Sequence, residues 1–305
     1  MSTAPRVAVL GPLPHLADAV AAGGGEVVDA ADAEALMWGD PADVDSLVAV
    51  LRDAPGIRWV QLPWAGVERQ AAAGLFGDGR TWTCAKGVYG EQVAEMALVL
   101  GAGGLRGVPD YTRANSWIAH RGRSLYDGHV TIVGGGGITR NLIELLAPLR
   151  VEVTVVRRHP QPVPGAARTV ASDGLLDAVA GADLVVLALA LTPETTGIIG
   201  AKELAAMEPH AWLVNVARGP HVVTDDLVDA LRAGTIGGAA LDVTDPEPLP
   251  DGHPLWDLPN CVITPHSANT PELSQRPLAE RVTENVRRFA AGEPLLGLVD
   301  PAAGY

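Results

Sequence analysis

Val130-Thr131-Ile132-Val133-Gly134-Gly135-Gly136-Gly137-Ile138-Thr139 is the stretch whose reading decides the fold. Val130–Val133 reads as a strand, the four glycines as a turn, and Ile138–Leu149 as a helix. Glycines also serve ordinary turns, but this order is the context a dinucleotide-binding turn requires. Gly134 makes the tight turn, and Gly136 lets backbone approach a pyrophosphate. The helix N-terminus, with Gly137 and Ile138, offers N–H groups and the positive end of a dipole. Thr139 stands where a third glycine is expected, and its bulk puts close strand–helix packing in question.

Outward from the turn, a second strand, Val151–Val156, ends in Arg157 and Arg158. An acidic residue in that place binds the ribose hydroxyls of NAD and repels a 2′-phosphate, whereas guanidinium groups pair with a phosphate. The pair therefore predicts NADP in preference to NAD, set against an ordinary solvated pair after a strand.

The same rhythm runs through the chain. Strands are predicted at Val7–Leu10, Trp59–Leu62, Thr81–Cys84, Leu184–Ala188, Leu213–Val216, Gly238–Asp242 and Cys261–Thr264. Helices are predicted at Leu13–Ala22, Val44–Ala54, Gln92–Gly101, Arg140–Leu149, Ser172–Ala180, Ala201–Ala206, Asp225–Ala233 and Pro277–Ala290. A polar stretch, Gly107–Asp127, separates two such series. Alternating strands and helices imply an α/β fold with parallel sheets, and 305 residues suit two domains.

Hydrophobic residues make up 48% of the chain and charged residues 19%, enough for packed cores and too ordered in pattern for disorder. The net charge of −14 disfavours general affinity for nucleic acid or an anionic membrane. Cys84 and Cys261 form no CxxC pair, so neither a zinc site nor a disulfide framework is expected. No apolar run approaches a membrane-spanning length, and residues 1–6 lead straight into a strand-like run. A cytoplasmic location is the expectation.

Three residues stand just after strands, where open parallel sheets bind ligands. Arg218 follows Leu213-Val214-Asn215-Val216-Ala217, Glu247 lies between Pro246 and Pro248, and His266 ends Val262-Ile263-Thr264-Pro265. Each alone reads as a surface Arg, a loop Glu or a hydrogen-bonded His. Downstream of a dinucleotide turn they form an acid–base set.

With those segments, and with Val93-Ala94-Glu95 and Leu191-Thr192-Pro193-Glu194-Thr195-Thr196-Gly197, the chain from Tyr89 to Ala268 resembles the D-isomer-specific 2-hydroxyacid dehydrogenases. The resemblance implies that Arg218 binds the carboxylate and carbonyl of a 2-keto acid. It implies that His266 exchanges a proton with the carbonyl oxygen, and that Glu247 stabilises the charged imidazole. Asp242 matches a position contacting the nicotinamide amide, and equally reads as a carboxylate capping a turn. Thr192 matches a loop lining the cofactor, and equally reads as a structural residue before Pro193. Leu62-Pro63-Trp64-Ala65-Gly66-Val67-Glu68 matches a substrate loop whose N–H groups at Ala65 and Gly66 meet the substrate carboxylate, set against a plain connecting loop. Lys86 departs from the family, as a cationic contact or a solvated side chain.

The resemblance further implies a flavodoxin-like substrate domain, residues 1–97 with 283–305, and an inserted Rossmann cofactor domain, residues 98–282. A homodimer is the family habit. Trp64, Lys86, Tyr89 and Trp117 point to a small polar acid such as glyoxylate or hydroxypyruvate. The alternatives are a non-catalytic dinucleotide-sensing regulator on the same fold and a methyltransferase with a similar glycine loop. The second leaves the Arg, Glu and His segments without a purpose.

Overall fold

The computed structural model describes residues 4–300. The chain divides into two compact units: described residues up to Tyr89 with those from Thr270 onward, and an inserted unit, Gly90–Asn269. The predicted boundaries at 97/98 and 282/283 would fall inside continuous helices, Gly90–Leu105 and Pro271–Ala291. A helix docks as one rigid body, so the divisions come at its ends, at 89/90 and 269/270.

The first unit holds five parallel strands, β1 (Arg6–Leu10), β2 (Glu26–Val27), β3 (Ala35–Trp38), β4 (Trp59–Gln61) and β5 (Thr81–Thr83), in the order β2-β1-β3-β4-β5. That is the flavodoxin-like order. β3 was absent from the sequence prediction although all four of its residues are buried between β1 and β4. Ala-Leu-Met-Trp lacks a β-branched residue, so propensity is silent and burial on both faces alone makes it a strand.

The last helix, Pro271–Ala291, belongs to this unit. Thr283 donates its hydroxyl to the Ala19 carbonyl in the helix Leu16–Ala22, at 3.0 Å, and Phe289 stacks on Trp59 with ring centroids 5.0 Å apart. The helix starts before the expected Pro277, because Thr270 accepts from the Leu273 N–H and Pro271 occupies its first turn. Thr followed by Pro is the stronger start signal, and Pro277 is carried inside the helix.

The inserted unit holds seven parallel strands: β6 (His129–Val133), β7 (Glu152–Val156), β8 (Arg168–Val170), β9 (Leu184–Leu187), β10 (Trp212–Asn215), β11 (Gly238–Leu241) and β12 (Cys261–Ile263). Their order is β12-β11-β10-β9-β6-β7-β8, a doubly wound Rossmann sheet whose direction of winding reverses between β6 and β9. Side chains of β9 alternate between two cores. Leu184 and Val186 pack with Ile132, Leu142 and Trp212, whereas Val185 and Leu187 pack with Leu204, Leu213 and Leu227. Covering both faces explains why these strands are unbroken apolar runs. Each fully buried Leu or Val contributes on the order of 2 kcal/mol.

The helix Gly90–Leu105 lies close on this sheet because its facing residues are small. A Cβ at Gly104 would stand 2.2 Å from the Trp212 ring, and one at Gly101 would stand 2.7 Å from Leu184. The segment predicted as irregular, Gly107–Asp127, contains a short helix, Val108–Arg113. β8 and β2 are short edge strands that sequence patterning also missed.

Candidate active site

The predicted cofactor and catalytic residues of the inserted unit all follow the carboxyl ends of its strands. Gly134 follows β6, Arg157 follows β7, Thr192 lies beyond β9, Arg218 beyond β10, Asp242 follows β11, and His266 lies beyond β12. A parallel sheet thus gathers on one edge residues far apart in sequence.

Gly134 has φ +118° and lies so close to the next strand's exit that a Cβ would stand 2.1 Å from the Ala188 carbonyl oxygen. Only glycine fits both the conformation and the space. Thr139 is fully buried and donates its hydroxyl to the Gly134 carbonyl at 2.9 Å. The residue that departs from the three-glycine pattern therefore ties the first turn of the helix Gly137–Leu146 back to the glycine turn. The N-cap, Gly136, has no side chain to occupy the helix's first N–H groups, and apart from its own neighbours in the chain nothing lies within 4 Å of where its Cβ would be. Open space over uncapped N–H groups is what a bound phosphate requires.

Arg157 lies across this turn: a Cβ at Gly135 would stand 2.9 Å from its Nε. The neighbouring Arg158 is exposed, and its charge reaches Glu194. A hydrogen bond from Thr192, with Arg158 adding to it, holds the Glu194 carboxyl below its usual range.

Thr192 organises its own loop. Its N–H donates to Thr195 Oγ1 at 2.8 Å, and its carbonyl accepts from the Thr196 hydroxyl at 2.9 Å. The loop 63–67 of the first unit follows β4, with the Trp64 carbonyl accepting from the Ala85 N–H at 2.9 Å and the Pro63 carbonyl accepting from the Tyr89 hydroxyl. Burial pushes the Tyr89 phenol up, keeping it a donor. Ala65 is exposed and Gly66 half-buried. Arg281 donates to the Lys86 carbonyl at 3.1 Å, which fixes the Lys86 backbone. Trp117, expected to border the site, is 94% exposed.

His266 and Glu247 meet. His266 Nδ1 lies 2.8 Å from Glu247 Oε1, with both side chains about half exposed. His266 takes a left-handed backbone, φ +51°, which is costly for a residue with a side chain and is held by its surroundings. Its N–H donates to the Asp242 carbonyl at 2.8 Å.

The buried Asp242 carboxylate accepts from Thr264 Oγ1 at 2.6 Å, the Ser267 N–H at 2.8 Å and the Ala268 N–H at 3.0 Å. Of its two sequence readings, the capping one is realised in this geometry: Asp242 clamps the loop that carries His266.

Arg218 is held from behind. Asn215, buried in β10, donates from Nδ2 to the Arg218 carbonyl at 2.8 Å and accepts from the Ala217 N–H at 3.1 Å. The Arg218 turn interlocks with the Glu247 loop, since a Cβ at Gly219 would stand 1.9 Å from the Thr244 carbonyl oxygen. Asn215 and Thr264 escaped the sequence reading. A polar residue inside Leu213-Val214-Asn215-Val216 was the available signal for the first, because buried amides must be paired.

A sequence profile of the D-isomer-specific 2-hydroxyacid dehydrogenase NAD-binding domain matches residues 96–268, more than half of the chain. The chain belongs to the D-isomer-specific 2-hydroxyacid dehydrogenases. The dehydrogenase is 41% identical over 304 residues to a Corynebacterium melassecola protein known by its place in the proB 3′ region, covering 96% of this chain and 98% of that one. It is 31% identical to a glyoxylate/hydroxypyruvate reductase A of Klebsiella pneumoniae over 87% of this chain and 80% of the relative. A Xanthobacter autotrophicus family member crystallised with NADPH and MES superposes with TM-score 0.86 at 29% identity, covering 99% and 100% of the two chains.

The dehydrogenase is therefore an oxidoreductase that uses a nicotinamide dinucleotide, and the uncapped helix N-terminus behind Gly136 fits that cofactor. No described helix is long and apolar enough to cross a membrane.

Proposed function

We propose that this dehydrogenase reduces a small 2-keto acid of the glyoxylate or hydroxypyruvate class to its D-2-hydroxy acid, with NADPH preferred over NADH. The observation that carries the reading is the His266–Glu247 pair at 2.8 Å, on the same sheet edge as Arg218. A dinucleotide-sensing regulator has no use for an acid–base pair in that place.

The bound dinucleotide supplies the hydride, and the chain's own residues do the rest. Arg218 grips the carboxylate and polarises the carbonyl with charge-assisted hydrogen bonds. Glu247 accepts from His266 Nδ1, which leaves Nε2 to deliver the proton to the carbonyl oxygen. Asp242 keeps that ring in place through the loop, beside whatever contact its carboxylate makes with the nicotinamide amide. Thr192 and its loop line the cofactor.

NADP preference rests on Arg157 and Arg158, which place two guanidinium groups at the end of β7, and on the NADPH-bound structural relative. A homodimer is supported by apolar side chains exposed at Val99, Val108, Tyr111, Trp117 and Tyr126 of the inserted unit. A cytoplasmic location is supported by two buried free thiols.

The test is a panel of 2-keto acids assayed with NADPH and NADH in parallel, for wild type and His266→Ala. Glyoxylate or hydroxypyruvate reduction with NADPH, lost in the variant, is expected. Absence of turnover with every keto acid and both cofactors in wild type would overturn the reading.

A further inference from the structure

His221 is a buried imidazole with no part in the chemistry above. It is 0% exposed and closes the single turn Gly219–His221 immediately after Arg218. Its Nδ1 lies 3.0 Å from the Thr195 carbonyl oxygen and its Nε2 lies 3.3 Å from that of Leu189. Those carbonyls are the two ends of the loop that carries Thr192, so one rigid ring spans the loop's base.

Backbone bonds join the same two segments. Gly197 donates to Pro220 at 2.8 Å, Ile199 to His221 at 3.0 Å, and Val223 to Ile199 at 2.9 Å. On its far side the base of the loop abuts the glycine turn: a Cβ at Gly134 would stand 3.1 Å from Leu189 N. A continuous chain of contacts thus runs from Gly134 through Leu189 and His221 to the turn that begins at Arg218. Packed contacts of this kind carry coupling only if the two ends respond to each other, which binding can measure.

We propose that His221 is a positioning residue that couples dinucleotide binding to the setting of Arg218, so that the keto acid is gripped tightly once the Thr192 loop is ordered over the cofactor. The proposal rests on the assignment of Arg218 as the carboxylate anchor. The imidazole suits the task because an N–H donates to one of the two carbonyls while the rigid ring fills the space up to the other.

The experiment measures oxamate binding with and without saturating NADPH in wild type, His221→Leu, His221→Gln and Thr131→Val. Thr131 supplies a control: it is buried in β6 and donates to the Ala178 carbonyl, outside this chain of contacts. In wild type NADPH should tighten oxamate by about tenfold. His221→Leu should bring that factor towards one and raise the keto-acid KM more than it lowers kcat. His221→Gln, which keeps a donor for one carbonyl, should restore part of the factor. Thr131→Val should lower Tm and leave the factor intact.

A wild-type factor of one would overturn the proposal. So would an unchanged factor in both His221 variants, or an equal loss in Thr131→Val. Absence of NADPH-dependent keto-acid reduction in wild type would instead overturn the functional reading on which the proposal stands.

Discussion

The Thr139 hydroxyl donates to the Gly134 carbonyl at 2.9 Å, across the glycine turn. The bond joins the first turn of a helix to the residue whose φ of +118° starts the glycine turn. Thr139→Val keeps the shape and removes the donor, leaving a buried carbonyl short of a partner at about 1–3 kcal/mol. The expected outcome is a lower denaturant midpoint together with weaker NADPH binding by fluorescence titration. Thr139→Ser should retain both.

Arg157 lies over Gly135, on the glycine turn proposed to hold the cofactor. A charge-assisted hydrogen bond to a 2′-phosphate is worth about 1.5–3 kcal/mol. Arg157→Asp should therefore lower the NADPH-to-NADH ratio of kcat/KM by about 10- to 100-fold. An unchanged ratio in steady-state assays would remove Arg157 from cofactor choice.

Asp242 accepts three hydrogen bonds from the loop that carries His266. Asp242→Asn turns one of its acceptors into a donor that faces other donors, and lets the loop move. Misplacement of a reacting group by about 1 Å costs about 100-fold in rate. A fall of that order in kcat, with NADPH still bound, is expected from single-turnover measurements.

Asp183 ties together the opposite edge of the same sheet. It accepts from the His129 N–H at 2.9 Å and pairs with His210 at 2.7 Å. Burial pushes its carboxyl up, but the His129 N–H, His210 and Arg123 outweigh it and hold it below the usual range. A lowered folded-state pKa stabilises the protein above the unfolded value, about 3.9, and that stabilisation is lost as pH falls through the folded value. Asp183→Asn should lower Tm at pH 7 with kcat/KM unchanged, and the difference from wild type should shrink below about pH 4.

Much of the site was written locally. Val130–Val133 followed by four glycines announces a strand, a turn and a phosphate cradle, because backbone propensity and the absence of side chains act within a few residues. Arg218, Glu247 and His266 stood out because charge inside apolar, proline-rich segments is costly unless used. β3 was invisible for the converse reason: Ala35–Trp38 becomes a strand only when two neighbouring strands and two packed faces enclose it.

The sequence by itself determined the parallel α/β alternation and the glycine turn, and it singled out Arg218, Glu247 and His266, the residues proposed for the chemistry. Tertiary structure alone decided that Glu247 reaches His266 and that Asp242 clamps the His266 loop. It also decided that the last helix packs on the first unit, where Thr283 meets Ala19. Propensity and periodicity act over neighbouring residues, whereas the His266–Glu247 and Asp242–Ala268 bonds join groups that the winding of a parallel sheet brings to within about 3 Å, and Thr283–Ala19 joins helices 264 residues apart in sequence.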